Sequence, residues 1–300
     1  MANFRSHTDC PMLLASCDAL HRAKVVEDLL VRRLMRKSQR VLEMWEKAER
    51  DWNQTLYEMA AYAMGAPRNS GAFSRLASTA TFRMCLREKG RRSSVEALLL
   101  GTSGLLVGEY FDDYILMLQN DFDYLTTKYV IKPMAAGEWD RSAGYPAGNP
   151  VIRIAQFAAI VASPDFSFDS VVACRTIDDV AKLLSAESND YWHKHYTPNG
   201  VSLGVPKRLG REKIVVMAIN FVVPLQFAYA EVMHKESIKE RAMALLESLP
   251  SEHNRIVSRW TGQGVPCASA FDSQALIELE TFCKEGLCTE CPLAKEIKRA

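Results

Sequence analysis

The sequence predicts an all-α fold, a multi-helical globular array with few or no strands and a cysteine knuckle at its C-terminal end. Three observations predict it. Apolar residues recur at three- and four-residue intervals over long stretches, those stretches are nearly free of Gly and Pro, and almost nothing alternates with period two. An apolar content of 48 % with 24 % charged residues suits a soluble globular chain and excludes a disordered one. Lys+Arg 37 against Asp+Glu 36 leaves a formal charge of +1, so binding to nucleic acid, a membrane surface or an acidic partner would need a local patch.

The first long helix is expected at 21–50, where Val26, Leu29, Leu30, Leu34, Val41 and Trp45 mark an apolar face. Its other face carries Arg32, Arg33, Arg36, Lys37 and Arg40. These could hold a phosphate backbone; a solvated helix face is the expectation. A second helix, 54–64, should stop at Gly65-Ala66-Pro67. Two short helices follow between 69 and 90, then an apolar helix at 95–100 with Ser93 or Ser94 as its cap. Gly101 and Gly104 would admit a close neighbour. Arg83, Arg87, Lys89, Arg91 and Arg92 form the densest basic patch, and Arg83 and Arg87 share one helical face. That patch is the candidate nucleic-acid contact, although no aromatic residues are interleaved with it.

Residues 109–131 read as a second long helix. Its acids, Asp112, Asp113, Asp121 and Asp123, lack the His at three- or four-residue spacing that a di-iron bundle uses, so no metal is assigned to them. Gly137, Gly144, Pro146 and Gly148 make 137–149 a loop and the candidate subdomain boundary within a single helical domain, 1–300. An apolar helix at 151–161 carries Arg153 and Gln156 on one face, either exposed on an edge or buried and paired. A helix at 176–186 has Asp178 and Asp179 in its first turn, as the macrodipole prefers. His193 and His195 share a face only in an extended segment and have no third ligand nearby, so aromatic packing is expected of them. The remaining helices are expected at 211–234, 237–249, 253–261 and 272–283. The longest apolar run, 214–223, is interrupted by Asn220 and followed by Pro224, falls short of the roughly 18 to 20 residues of a membrane span, and reads as a buried helix.

Leu14-Ala15-Ser16-Cys17 matches the cleavage pattern of a bacterial lipoprotein signal. Asp9 and Pro11 precede it, and the apolar core is about four residues where a signal needs roughly 7 to 15. A cytoplasmic, reducing setting is therefore expected, in which the eight cysteines serve as thiols, metal ligands or redox groups. Cys283, Cys288 and Cys291 are spaced C-x4-C-x2-C. The C-x2-C half turns two thiolates onto one centre, and Cys283 at a helix end supplies a third. Structural zinc and an iron–sulfur cluster both fit, and so do three reduced thiols with no cofactor. Radical S-adenosylmethionine enzymes use a shorter first gap and an alternating-strand barrel, which this chain lacks. A fourth ligand must come from Cys10, Cys17, Cys267 or His253. Cys10, in the stiff turn Asp9-Cys10-Pro11, is the leading candidate, and would pack the knuckle 283–291 on the N-terminal region.

The stretch 287–293 resembles the end of the iron–sulfur loop of helix-hairpin-helix DNA glycosylases. There the first gap is longer and a fourth Cys stands where this chain has Ile297; the helix-hairpin-helix Gly pattern and catalytic Asp are also missing. A wider set of residues resembles an uncharacterised bacterial family, domain of unknown function 2851. They are Glu96-Ala97-Leu98-Leu99 with Gly101 and Gly104, Pro150 with Arg153-Ile154-Ala155-Gln156, Tyr191-Trp192 with His195-Tyr196, Asn220 with Pro224, Leu249-Pro250 with Glu252, Asn254 and Trp260, 272–277, and the final cysteines. Arg153, Gln156 and His195 are the candidate polar site among them. Tyr145 and Gly148 stand where the family usually has Arg and Asn. Family members usually carry a further N-terminal half that looks loosely like a nuclease core. The resemblance thus implies a non-catalytic helical scaffold or accessory module, binding a protein or nucleic acid, with a separately encoded nuclease-like half as one candidate partner. The glycosylase likeness implies the alternative, a nucleic-acid-processing enzyme with an iron–sulfur cluster.

Overall fold

Apolar spacing sets where the chain is helical, and helix makes up 68 % of it against 2 % strand. The computed structural model describes residues 10–110, 112–142 and 147–297; Asp9 and Tyr145 lie outside them. In chain order the helices are α1 (Cys10–Ser16), α2 (Ala19–Lys47), α3 (Trp52–Gly65), α4 (Ser70–Thr79), α5 (Phe82–Glu88), α6 (Arg92–Thr102), α7 (Asp113–Tyr129), α8 (Pro150–Ala162), α9 (Phe168–Ala173), α10 (Ile177–Leu183), α11 (Arg211–Met217), α12 (Val223–Met233), α13 (Glu236–Ser248), α14 (Arg255–Thr261), α15 (Ala270–Lys284) and α16 (Pro292–Ile297). Among the described residues the sheet is one antiparallel ribbon, β1 (His195–Thr197) with β2 (Gly200–Val201). The chain divides into two compact units, residues 1–40 with 226–300 and residues 41–225. The stretch 137–149, of which 143–146 lie outside the described residues, belongs to the second unit.

In the unit 41–225, α3 packs on α4, and α6 packs against α7 and α8. Aromatic rings bridge these helices. Tyr57 stacks on Phe82 and on Phe157 at 5.4 Å, and Phe73 meets Phe157 and Trp139 edge-on; such pairs add about 0.5–1.5 kcal/mol each beyond area burial. An added Cβ on Gly101 of α6 would stand 2.1 Å from the Phe122 ring of α7. Gly104 adopts φ +74, with the Met134 carbonyl 2.0 Å from where a Cβ would sit. Gly101→Ala is therefore expected to cost about 1–3 kcal/mol, as overpacking does. The check is a lower urea midpoint at unchanged slope; an unmoved midpoint would mean that α6 and α7 part without cost.

Three expectations are corrected in this unit. Arg91, not Ser93 or Ser94, holds the N-cap of α6; the serines stand in its first turn, where Arg91 Nε donates to Ser94 Oγ at 2.8 Å. α7 starts at Asp113 rather than at 109, because Gln119 Nε2 donates to the Leu106 and Gly108 carbonyls and holds the preceding segment as a loop. The expectation that the apolar run falls short of a membrane span is overturned, because the helix expected at 211–234 runs on through Asn220 and Pro224 to Met233. A wider π turn, Ala218–Val222, joins α11 to α12 just before Pro224, which has no N–H to continue the ladder. Arg211–Met233 thus has the length and composition to cross a membrane, and 67 % of its most apolar window is buried inside the protein.

In the unit 1–40 with 226–300, α13 and α14 pack on α15. Ser269 and Asp272 start α15 with a reciprocal capping box. The basic face of α2 is only partly solvated: Arg32, Arg36 and Arg40 are exposed, whereas Arg33 and Lys37 are half-buried. Arg33 and Arg36 reach Glu278 of α15 at 3.7 and 2.5 Å. Arg33 Nε donates to Gln274 Oε1 at 3.2 Å, and Gln274 Nε2 donates to Glu252. Burial holds the Arg33 guanidinium below its usual range and pushes Lys37 down to about 7. The acids that neutralise this face sit far along the chain, where local periodicity gives no sign of them.

Candidate functional site

The C-terminal cysteines are placed by a chain of backbone turns. α15 ends at Lys284, Gly286 takes φ +69, and Leu287 N–H donates back to the Phe282 carbonyl at 3.0 Å. The Cys291 N–H donates to the Cys288 carbonyl at 3.4 Å and closes the C-x2-C turn, and Pro292 then begins α16. Cys10 opens α1. Cys10, Cys283, Cys288 and Cys291 line a single pocket whose other walls are Phe282, Leu293 and Ala294. The Cys283 thiol hydrogen-bonds that of Cys10, and this bond, with burial and the neighbouring thiols, lifts it well above the ordinary thiol range. Cys291 is buried, Cys10 and Cys283 half-buried, and Cys288 exposed. Cys17, Cys267 and His253 do not line the pocket. Among the described residues, no three His, Cys, Asp or Glu side chains are grouped to hold a metal ion.

Two of the five side chains in the basic patch have partners within the fold. Arg83, Arg87, Arg91 and Arg92 are exposed, but Arg91 pairs with Asp121, and Lys89 Nζ donates to the Ser163 carbonyl at 2.8 Å. Those two side chains bind helices to one another.

Arg153 and Gln156 do come together. Arg153 Nη1 donates to Gln156 Oε1 at 3.1 Å, and Gln156 Nε2 donates to the Arg208 carbonyl at 3.1 Å. His195 instead stacks on Tyr191, with centroids 4.0 Å apart and planes 2° from parallel, so the aromatic role expected of it is the one it has. Around Tyr191 lies a polar cluster that the motif reading passed over. The Tyr191 hydroxyl donates to Asp112 Oδ2 at 2.7 Å, and Trp192 Nε1 donates to Glu96 Oε1 at 2.5 Å. The Tyr191 bond holds the Asp112 carboxyl below its usual range, while burial pushes Glu96 up to about 7. A signal for Glu96 existed: it is the one carboxylate in Val95-Glu96-Ala97-Leu98-Leu99-Leu100, and a helix apolar all round is a buried helix.

Fold and pocket together define an all-α protein that draws four cysteines from distant parts of its sequence to one place. The chain belongs to the family described as protein of unknown function (DUF2851), whose model matches residues 1–255. That span holds Cys10, Glu96, Arg153, Gln156, Tyr191 and His195; it ends before 272–277 and Cys283, Cys288 and Cys291, so the likenesses drawn from those last residues fall outside it. No curated protein and no solved structure matches the chain.

Proposed function

We propose that Cys10, Cys283, Cys288 and Cys291 ligate an iron–sulfur cluster, and that the chain is a cluster-clasped helical scaffold serving as an accessory module to a partner. The convergence of the four cysteines on one otherwise apolar pocket carries this reading. A single zinc at about 2.3 Å from each sulfur would draw four thiolates to within about 3.8 Å of one another. A four-iron cluster gives each thiolate its own iron and so does not ask all four to crowd one ion. Binding energy at such a centre becomes folding energy, because it ties the segment at Cys10 to the end of α15. The scaffold reading is supported by the use of charge elsewhere: Lys89, Arg91, Arg33 and Arg36 all brace one helix on another.

The test is purification without oxygen, followed by iron, sulfide and zinc analysis of the wild-type chain and of Cys10→Ser and Cys288→Ser. Brown protein with about four irons per chain is expected, with colour and iron lost in both variants. Zinc without sulfide would replace the cluster by a single-ion site. Metal-free protein, or iron indifferent to both substitutions, would end the proposal.

A further inference from the structure

The unit 41–225 holds a pocket of ≈ 340 Å³, bounded by the end of α3 and the turn after it (Met64, Arg68), by Phe73, and by the start of α8 (Pro150, Arg153). That volume falls in the range of small-molecule sites, about 300–1,000 Å³. Charge is what sets this pocket apart. Arg153 has Gln156 as a neutral partner and forms no ion pair among the described residues; burial alone holds its guanidinium below the usual range. Lys213 of α11 lies within its electrostatic reach, with Nζ donating to the Ala63 and Ala66 carbonyls at 2.8 and 3.1 Å. It too has no carboxylate partner among the described residues, and burial, then Arg153, push it down to about 7. Arg68 adds no net charge, because Asp140 pairs with it at 3.3 Å. The first turn of α8 brings the positive end of a helix dipole to the same wall.

Two neighbouring buried cations without a counter-charge are costly, since each disfavours the charged form of the other. A bound anion would remove that cost. We propose that this pocket binds the phosphate group of a small phosphate monoester, with Arg153 as the side chain that grips it. A dianion beside Arg153 would also favour the charged form of Lys213, which stands behind the pocket wall at Ala66, and the planar guanidinium fork suits phosphate oxygens. Met64 and Phe73 line the remaining space and would face the organic part of the ligand. The proposal is independent of the cysteine pocket.

Calorimetric titration of the full chain with inorganic phosphate, adenosine monophosphate and glucose 6-phosphate tests it. Saturable binding of at least one is expected, and the tightest of the three identifies the source of the phosphate. Arg153→Gln should weaken binding at least about tenfold, as loss of a charge-assisted hydrogen bond does. Arg75→Gln, which removes a surface pair with Glu138, should leave binding unchanged. Absence of binding by all three at millimolar concentration, full affinity in Arg153→Gln, or tighter binding of succinate would overturn the proposal. Should Arg153→Gln not fold, phenylglyoxal labelling of the wild-type chain, read by mass spectrometry, gives the same decision. Ligand must shield Arg153 and not Arg75; equal labelling with and without ligand overturns it.

Discussion

Glu96→Gln is expected to raise the stability of the protein by about 3 kcal/mol at pH 8 and to leave it nearly unchanged at pH 4. The carboxyl is buried on α6, and burial moves its pKa from 4.5 to about 7. At roughly 1.4 kcal/mol per unit, that shift is worth about 3 kcal/mol. The sign follows from linkage. The folded state holds the proton more tightly than the unfolded chain, so the contribution is fully present below the unfolded pKa and is lost as pH rises through about 7. Glutamine carries no charge to desolvate, and its amide oxygen can still accept from Trp192 Nε1. The Tyr114 hydroxyl, whose bond to the Glu96 carboxyl holds the pKa down in part, can bond the amide in its place. Arg92 draws the Glu96 pKa down only weakly, as the last of its causes. Urea unfolding of both proteins between pH 4 and 8 is the check. The two curves should separate as pH rises from about 4.5 to 7; parallel curves would mean that Glu96 is already ionised and solvated.

What could be read from the sequence divides by range. The long α2 and the breaker at Gly65-Ala66-Pro67 follow from spacing and from residues that act on their own neighbours. The cap of α6 did not, because Ser94 takes a bond from Arg91 instead of capping, and the start of α7 did not, because Gln119 reaches back to the Leu106 carbonyl. The same split runs through the candidate sites. Cys10 could be named because a cysteine held in a stiff turn is poised to present its thiol, and it does share a pocket with the C-terminal three. Lys213 and Asp112 could not be named, since the partners that define them lie 150 and 79 residues away. Arg91 and Lys89 of the basic patch show the same limit: a charge looks free in one dimension until the partner across the fold is in place.

The face of α2 makes that point measurable. Glu278→Gln is expected to cost about 3 kcal/mol, because it leaves Arg33 facing an amide where it faced a carboxylate, and breaking a buried pair costs about 3–5 kcal/mol. The lower end applies, since the Arg36 side chain is 46 % exposed and water can take over part of its charge, whereas Arg33 is only 20 % exposed. Arg36→Gln should accordingly cost less than Glu278→Gln. Replacing the more buried pair together, Arg33→Met with Glu278→Leu, should recover most of the loss, because the less exposed charge goes with its partner and the Arg36 that remains is open to water. Lys37 supplies an internal check. Arg33 is the largest charge acting to lower its pKa, so the double variant should let that pKa rise from about 7, visible as a shift in the pH dependence of unfolding above neutrality. If Glu278→Gln instead unfolded within about 0.5 kcal/mol of wild type, as surface substitutions do, the face would be solvated in effect and the ion pairs would be ornaments of a surface rather than the contact that seats α2 on α15.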